Sequence, residues 1–339
     1  MAATLYTGSG GTNAISNAVN NIAFQPDLVW VKSRSAATDH KLTDSVRGTT
    51  KALISDTTGA ETTDTNGLTA FGTGGFTLGS DTVYNNSGAT YVGWQWQANK
   101  GTTVSNTSGS ITSTVSANTT AGFSIVTYTG NGTVGATVGH GLGVTPGMVI
   151  VKSRSAIADW PVKILPYMTG GQRLELSTTN AITTEAAGSG SLWNATNPNS
   201  TVITLGNQAM TNTNGTTYVA YCFAPISGYS AFGSYTGNGS TDGPFVYCGF
   251  RPRFVLIKST AVENWTIQDS ARSTYNVIDA ALFPALSNAE STANANLNID
   301  FLSNGFKVRS AGAAINNTSS QAYIYAAFAE NPFTIARAR

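Results

Sequence analysis

Tyr128-Thr-Gly-Asn-Gly132, Pro146-Gly-Met-Val-Ile-Val-Lys-Ser153 and Tyr218-Val-Ala-Tyr-Cys-Phe-Ala224 follow one another in the middle of a 339-residue chain. The same three stretches occur before and after them. Upstream they read TLYTGSGG, PDLVWVKSRS and ATYVGWQWQ; downstream they read GSYTGNGS, PRFVLIKST and QAYIYAAFA. Tyr6, Tyr128 and Tyr235 open the three blocks, and Pro26, Pro146 and Pro252 each stand six residues before Lys32, Lys152 and Lys258. Tyr91, Tyr218 and Tyr323 each follow Asn85, Asn212 and Asn317 by six residues, and Trp96, Phe223 and Phe328 close the motif. A unit of this length lies beyond the roughly 20–50 residues of solenoid and propeller repeats, so each block is expected to carry its own core.

Val29-Trp30-Val31-Lys32 and its counterparts at 149–152 and 255–258 are rich in β-branched residues between a Pro and a Ser, which predicts a strand. Both alternating sets are apolar up to the lysine. Such a strand is covered on both faces, by a facing sheet and by a loop, neighbouring domain or subunit. Tyr91–Trp96 and Tyr218–Phe223 alternate small or polar residues with aromatics, as a strand with one heavily buried face does. Asn-Gly at 131–132 and 238–239 is a hairpin signal, because a type I′ turn needs positive φ at both central residues. Ser270–Leu286 is the best helical candidate, interrupted by Pro284.

These features predict an all-β protein of three tandem, related β-sandwich domains of the jelly-roll or concanavalin-like kind. The expected domains are residues 1–98, 122–226 and 227–339, the last ending in a short basic tail. Residues 99–121, rich in Ser and Thr, read as a linker; Ile111, Val115 and Phe123 leave open a strand pinned onto a neighbour.

Charged residues make up 10% of the chain and the net charge is +1, so no basic face for nucleic acid is expected. No apolar run approaches the roughly 18 residues of a membrane span, and the N-terminal residues lack the pattern of a secretory signal, so synthesis in a cytoplasm and no membrane insertion are expected. Cys222 and Cys248 read as two small buried thiols, with a disulfide as the alternative.

The search for chemistry yields little. His40 and His140 are the two histidines, and His140 reads as a turn residue. Asp44-Ser-Val-Arg47 recurs as Asp269-Ser-Ala-Arg272, read as a local ion pair on a half-exposed segment worth about 0–1 kcal/mol. No nucleophile-elbow or zinc-ligand spacing occurs, and neither a cofactor nor a placed metal is expected. Among the tryptophans, Trp193 stands in a polar loop and is the first candidate for an exposed ligand contact, followed by Trp160 and Trp265.

Together the three motifs and Asp300-Phe-Leu-Ser-Asn-Gly-Phe-Lys-Val-Arg309 resemble a family of tailed-bacteriophage structural proteins common among phages of marine bacteria and cyanobacteria. The resemblance covers residues 122–332 and, more weakly, 1–98. It implies a non-enzymatic virion component, assembled in the host cytoplasm, of the kind described as a tail fibre or structural protein, with no active-site residues to carry over. The implied partners are other virion proteins, further copies in a homo-oligomer with a trimer expected, and a host surface glycan or protein. Block one departs from the pattern at Gly8-Ser-Gly-Gly11 and Trp94-Gln-Trp96, which fits adaptation to virion attachment. A head or tail decoration protein is the alternative. A glycan depolymerase would need two close carboxylates, from Glu175, Glu185, Glu263 and Glu290.

Overall fold

A computed structural model describes residues 1–18 and 23–330. The basic tail expected at the C-terminus lies outside them. The fold is all-β, and the helices among the described residues are one turn at Thr82–Asn85 and a 3₁₀ turn at Ala295–Leu297. No helix forms over Ser270–Leu286, where Ala281–Leu282 instead pairs with Trp265–Asp269 at a sheet edge. Pro284 and the β-branched residues of that stretch oppose a helix.

Each block builds one large antiparallel sheet in the same strand order. The closing aromatic strand (Thr90–Trp96, Thr217–Phe223, Ala322–Ala329) lies between the opening strand (Ala2–Thr7, Phe123–Thr129, Ser230–Thr236) and the lysine strand (Leu28–Ser33, Met148–Ser153, Pro252–Ser259). A further strand follows at Lys41–Asp44, Pro161–Ile164 and Trp265–Asp269. The register is common to all three: Leu28 pairs with Trp96, Met148 with Phe223 and Phe254 with Phe328. On the other side the same residues pair with Asp44, Ile164 and Asp269.

Alternation along these strands sends side chains to two different cores. Val29, Val31 and Tyr91 pack with Ile15, Leu68, Phe76 and Leu78 of a small second sheet. Val149, Val151 and Tyr218 do the same with Val138 and Ile203, and Val255, Ile257 and Tyr323 with Val246, Phe301 and Phe306. The opposite faces of all three large sheets meet in one shared core holding Leu28, Trp94, Trp96, Ile150, Tyr221, Phe223, Phe254, Leu256 and Phe328. Each block therefore keeps a private cluster and contributes a full face to a common one. The aromatic strands, expected to bury one face heavily, bury both.

Trp96, Phe223 and Phe328, equivalent by register, meet one another edge-on, with ring centroids 5.9, 5.6 and 5.6 Å apart. These contacts mark a pseudo-threefold axis inside a single chain. Backbone contacts close the ring: Glu61 N donates to Arg154 O, Ile182 N to Thr260 O and Glu290 N to Arg34 O, at 2.8, 2.9 and 2.9 Å. Block one thus bonds to two, two to three, and three back to one.

The repeated Tyr and Asn residues lock the turn that opens each block. Tyr91, Tyr218 and Tyr323 stack on Tyr6, Tyr128 and Tyr235 at 5.1, 5.2 and 5.1 Å. Asn85, Asn212 and Asn317 accept from the backbone N–H groups of Ser9, Asn131 and Asn238. A Cβ on Gly8, Gly130 or Gly237 would run into the carbonyl oxygens of Asn86, Thr213 and Thr318, which explains the first glycine of the motif. The turn is not the hairpin expected from Asn-Gly. Gly132 and Gly239 have positive φ but Asn131 and Asn238 do not, and the chain leaves the large sheet for the small one.

Residues 99–121 are not a free linker. Ser113–Asn118 pairs with the opening strand of block two, Val104–Asn106 adds outside it, and Ile111 bridges to Val138. Asp27 anchors the start of the segment by accepting from the N–H groups of Ala98, Lys100 and Gly101 at 2.7, 2.9 and 2.6 Å.

Candidate functional site

The densest polar constellation is a buried belt between the blocks, built from the Asp-Ser-x-Arg element. Asp44 Oδ1 accepts from the N–H groups of Val46 and Arg47, while Arg47 Nε donates to Oδ2 at 2.5 Å and Nη2 to the Leu42 carbonyl. Asp269 and Arg272 repeat each contact, with Nε to Oδ2 at 2.6 Å. Both ion pairs have side chains 0% exposed, so the half-exposed placement expected from the sequence is corrected. What buries them is the neighbouring block. Tyr221 Oη donates to Asp44 Oδ2 at 2.8 Å, and Trp94 Nε1 donates to Asp269 Oδ2 at 3.0 Å.

A glutamate extends each pair across the same boundary. Glu61 accepts from Arg47 of its own block and, bidentately, from Arg154 of block two. Glu290 likewise accepts from Arg272 and bidentately from Arg34 of block one. Burial alone would raise the Glu61 carboxyl, but Arg154 and Arg47 hold it below its ordinary value. At the third boundary, between blocks two and three, the equivalent positions are Ile164, Ile182, Thr260 and Ala326. Both sides of the polar contact are lost together there, so no charge is stranded.

Lys32, Lys152 and Lys258 are buried, and among the described residues none of them has a carboxylate at ion-pair distance. Their ammonium groups donate to carbonyls instead: Ser33 and Ala36, Thr58 and Ala158, and Ser259 and Ala261. Desolvation lowers all three to about 8.

Trp193, Trp160 and Trp265, the expected ligand contacts, are all 0% exposed. Trp160 Nε1 donates to the Ile54 carbonyl of block one at 3.0 Å, and Trp265 Nε1 to the Glu175 carbonyl of block two at 2.8 Å. Trp193 packs with Leu192 and Val138 in the block-two cluster, with Lys163 Nζ 5.8 Å from the ring centroid. Burial removes all three from the surface; the polar loop around Trp193 folds over it. His40 is buried and neutral, its Nδ1 accepting from Trp30 Nε1 at 2.9 Å, with burial holding its pKa well below the ordinary value. His140 is a turn residue whose Nδ1 accepts from Leu142 N–H. Cys222 and Cys248 are free, and burial pushes both thiols up to about 12. Glu175 and Glu185 face Arg173, Glu290 is in the belt, and Glu263 accepts from Asn264 N–H. Among the described residues no three His, Cys, Asp or Glu side chains converge as metal ligands.

Residues 1–332 match the family model for a domain of unknown function, DUF7483. The chain belongs to that family. One DUF7483 match thus spans all three blocks, as the shared core does. No curated protein and no solved structure matches the chain.

Recurrent polar residues of this DUF7483 chain are consumed in locking turns within the blocks and in holding the blocks together. Its surface singularity lies elsewhere. Phe245, Tyr247 and Tyr275, at 44, 68 and 85% exposure, flank the small sheet of block three, the first two on one edge and Tyr275 beside the other. Sequence reasoning missed them. Phe245-Val246-Tyr247 alternates exposed, buried, exposed, and that alternation beside a turn was the available signal.

Proposed function

We propose that the chain is a non-enzymatic structural protein of a bacteriophage virion, acting as a tail fibre or receptor-binding element that contacts the host surface. The motif resemblance supports the virion setting. The observation that carries the non-enzymatic reading is the belt: its acids and bases are matched in buried ion pairs, and both histidines are buried and hydrogen-bonded. A depolymerase needs carboxylates free to donate and accept protons at a groove, and the spare glutamates of blocks two and three are already engaged. Recognition then falls to surfaces where the blocks differ. Copies joined in an oligomer would multiply such contacts at a cell surface.

A head or tail decoration protein is the second reading, favoured by the closed three-block arrangement with no shaft-like helix or repeat among the described residues. Mass spectra of purified mature particles should contain the protein, and labelled-particle electron microscopy should place it at fibre tips. Regular spacing over the capsid or tail tube would favour decoration. Absence from particles would overturn both.

A further inference from the structure

The small sheet of block three comprises Phe245–Tyr247, Gly305–Val308 and Ile299–Leu302, in that order across the sheet. Its inner face is Val246, Phe306, Val308, Ile299 and Phe301, all buried. Its outer face presents Phe245 and Tyr247 at one edge, Lys307 in the middle and Asp300 beyond, because alternate residues face opposite sides. Tyr275 borders the far edge, where Asn276 exchanges hydrogen bonds with the Phe301 backbone. Among the described residues, Phe245, Tyr247 and Tyr275 are the aromatic members of the exposed large apolar side chains; the first two lie on this sheet's edge strand and the third on the loop bonded to its opposite edge.

The equivalent strands keep the buried residue and change the exposed ones. Val246 opposite Phe306 corresponds to Ile15 opposite Phe76 and Val138 opposite Ile203. On either side, Phe245 and Tyr247 replace Ala14 and Ser16 of block one and Thr137 and Gly139 of block two. Lys307 stands where those blocks have Thr77 and Thr204, and Arg309 where they have Gly79 and Gly206. Nothing in packing requires these changes, since the inner face is unaltered in kind.

The arrangement is the reverse of a protein-docking patch, which has an apolar centre and a polar rim. Here the rings lie at the edges, and the centre holds Lys307 paired with Asp242 at 2.8 Å and Arg309 with Asp300 at 3.3 Å. The paired charges cancel, so an anionic ligand would meet two carboxylates and a cationic one two bases. A hydroxyl-rich neutral ligand meets fixed donors and acceptors between flat apolar rings.

We propose that this face, comprising Phe245, Tyr247, Tyr275, Asp300, Lys307 and Arg309, binds a neutral oligosaccharide. The rings stack on the C–H faces of the sugars and the ion pairs hydrogen-bond their hydroxyls. The proposal deepens the recognition role given above by naming its ligand class and site.

Its test uses the purified full chain on immobilised linear gluco-, manno- and galacto-hexaoses, with sialylated and sulfated oligosaccharides alongside. The wild type should be retained on at least one neutral hexaose. Tyr247→Ala, Tyr275→Ala and Arg309→Gly should each weaken retention at least tenfold, with thermal midpoints within a degree or two because these side chains project outward. No retention on any neutral hexaose, stronger retention on the acidic set, or variants that bind within twofold of wild type would overturn the site. Particles that contain the protein while the chain binds no saccharide would sink this site and leave the virion role standing. A saccharide-binding chain absent from particles would do the opposite.

Discussion

Three rings decide whether the blocks stay together, because Trp96, Phe223 and Phe328 each touch the other two across the pseudo-threefold axis. Truncating one leaves a cavity that three rigid sheets cannot close. Phe223→Ala should destabilise the fold by about 3–5 kcal/mol, read from urea unfolding followed by tryptophan fluorescence. A cost below about 1 kcal/mol would mean that the site collapses freely. The buried lysines give a second residue-level effect. Lys32, Lys152 and Lys258 titrate near 8 when folded and near 10.5 otherwise, because burial penalises the ammonium. Between those values the unfolded chain holds protons that the folded chain has released, so stability should rise from about pH 8 toward pH 10. Tyr6, Tyr128 and Tyr235 have the opposite sense above pH 10: burial raises their folded pKa, the unfolded chain loses protons first, and stability should then fall. The two thiols, raised to about 12 by burial, act in the tyrosines' sense from about pH 9. Urea midpoints measured from pH 7 to 11 should therefore pass through a maximum between about pH 9 and 10; a steady decline across pH 8–9 would contradict the lysine assignment.

At the scale of elements, the boundaries of block one carry ion pairs, whereas among the described residues the boundary between blocks two and three is joined by apolar packing and neutral hydrogen bonds. Asp44→Ala leaves Arg47 buried with only Glu61 to balance it and deprives Tyr221 Oη of its acceptor. That should cost about 3–5 kcal/mol in urea unfolding, the range for breaking a buried pair from one side. Ile164→Ala, at the equivalent position, should cost about 2–5 kcal/mol through cavity formation alone and show no dependence on salt or pH. The lysine strands were legible in the sequence because both alternating sets are apolar, a pattern that only double burial explains. What covers the second face was not legible, since a subunit, a loop and a neighbouring block all demand the same residues. The Asp-Ser-x-Arg element shows the same limit: its i,i+3 spacing reveals the ion pair, but burial comes from Tyr221 and Trp94, more than 170 residues away in sequence. Trp193 misled for a related reason, as polar neighbours in sequence say nothing about what folds beneath them. Phe245 and Tyr247 escaped notice because aromatics in strands ordinarily belong to cores.

For the whole molecule, closure of the ring is the cooperative step. Residues 122–226 contribute Phe123, Ile125, Met148, Ile150, Trp160, Val162, Ile164, Val219, Tyr221 and Phe223 to the shared core. Cutting that block free would expose side chains worth about 1.5–3 kcal/mol each when fully buried. The sum exceeds the roughly 5–15 kcal/mol by which a domain is stable, so the private cluster around Tyr218 and Val149 cannot hold the block by itself. An isolated 102–226 fragment, which keeps the Val104–Asn106 and Ser113–Asn118 strands and with them Ile111 and Val115 of the private cluster, should therefore precipitate, or associate through the face that normally meets its neighbours. The intact chain, in contrast, should unfold in one transition seen alike by near-ultraviolet circular dichroism, tryptophan fluorescence and calorimetry. Light scattering coupled to size exclusion distinguishes the outcomes for the fragment. A monomeric fragment that melts cooperatively at the midpoint of the full chain would show that the private clusters suffice and that the shared core is only a contact between finished domains.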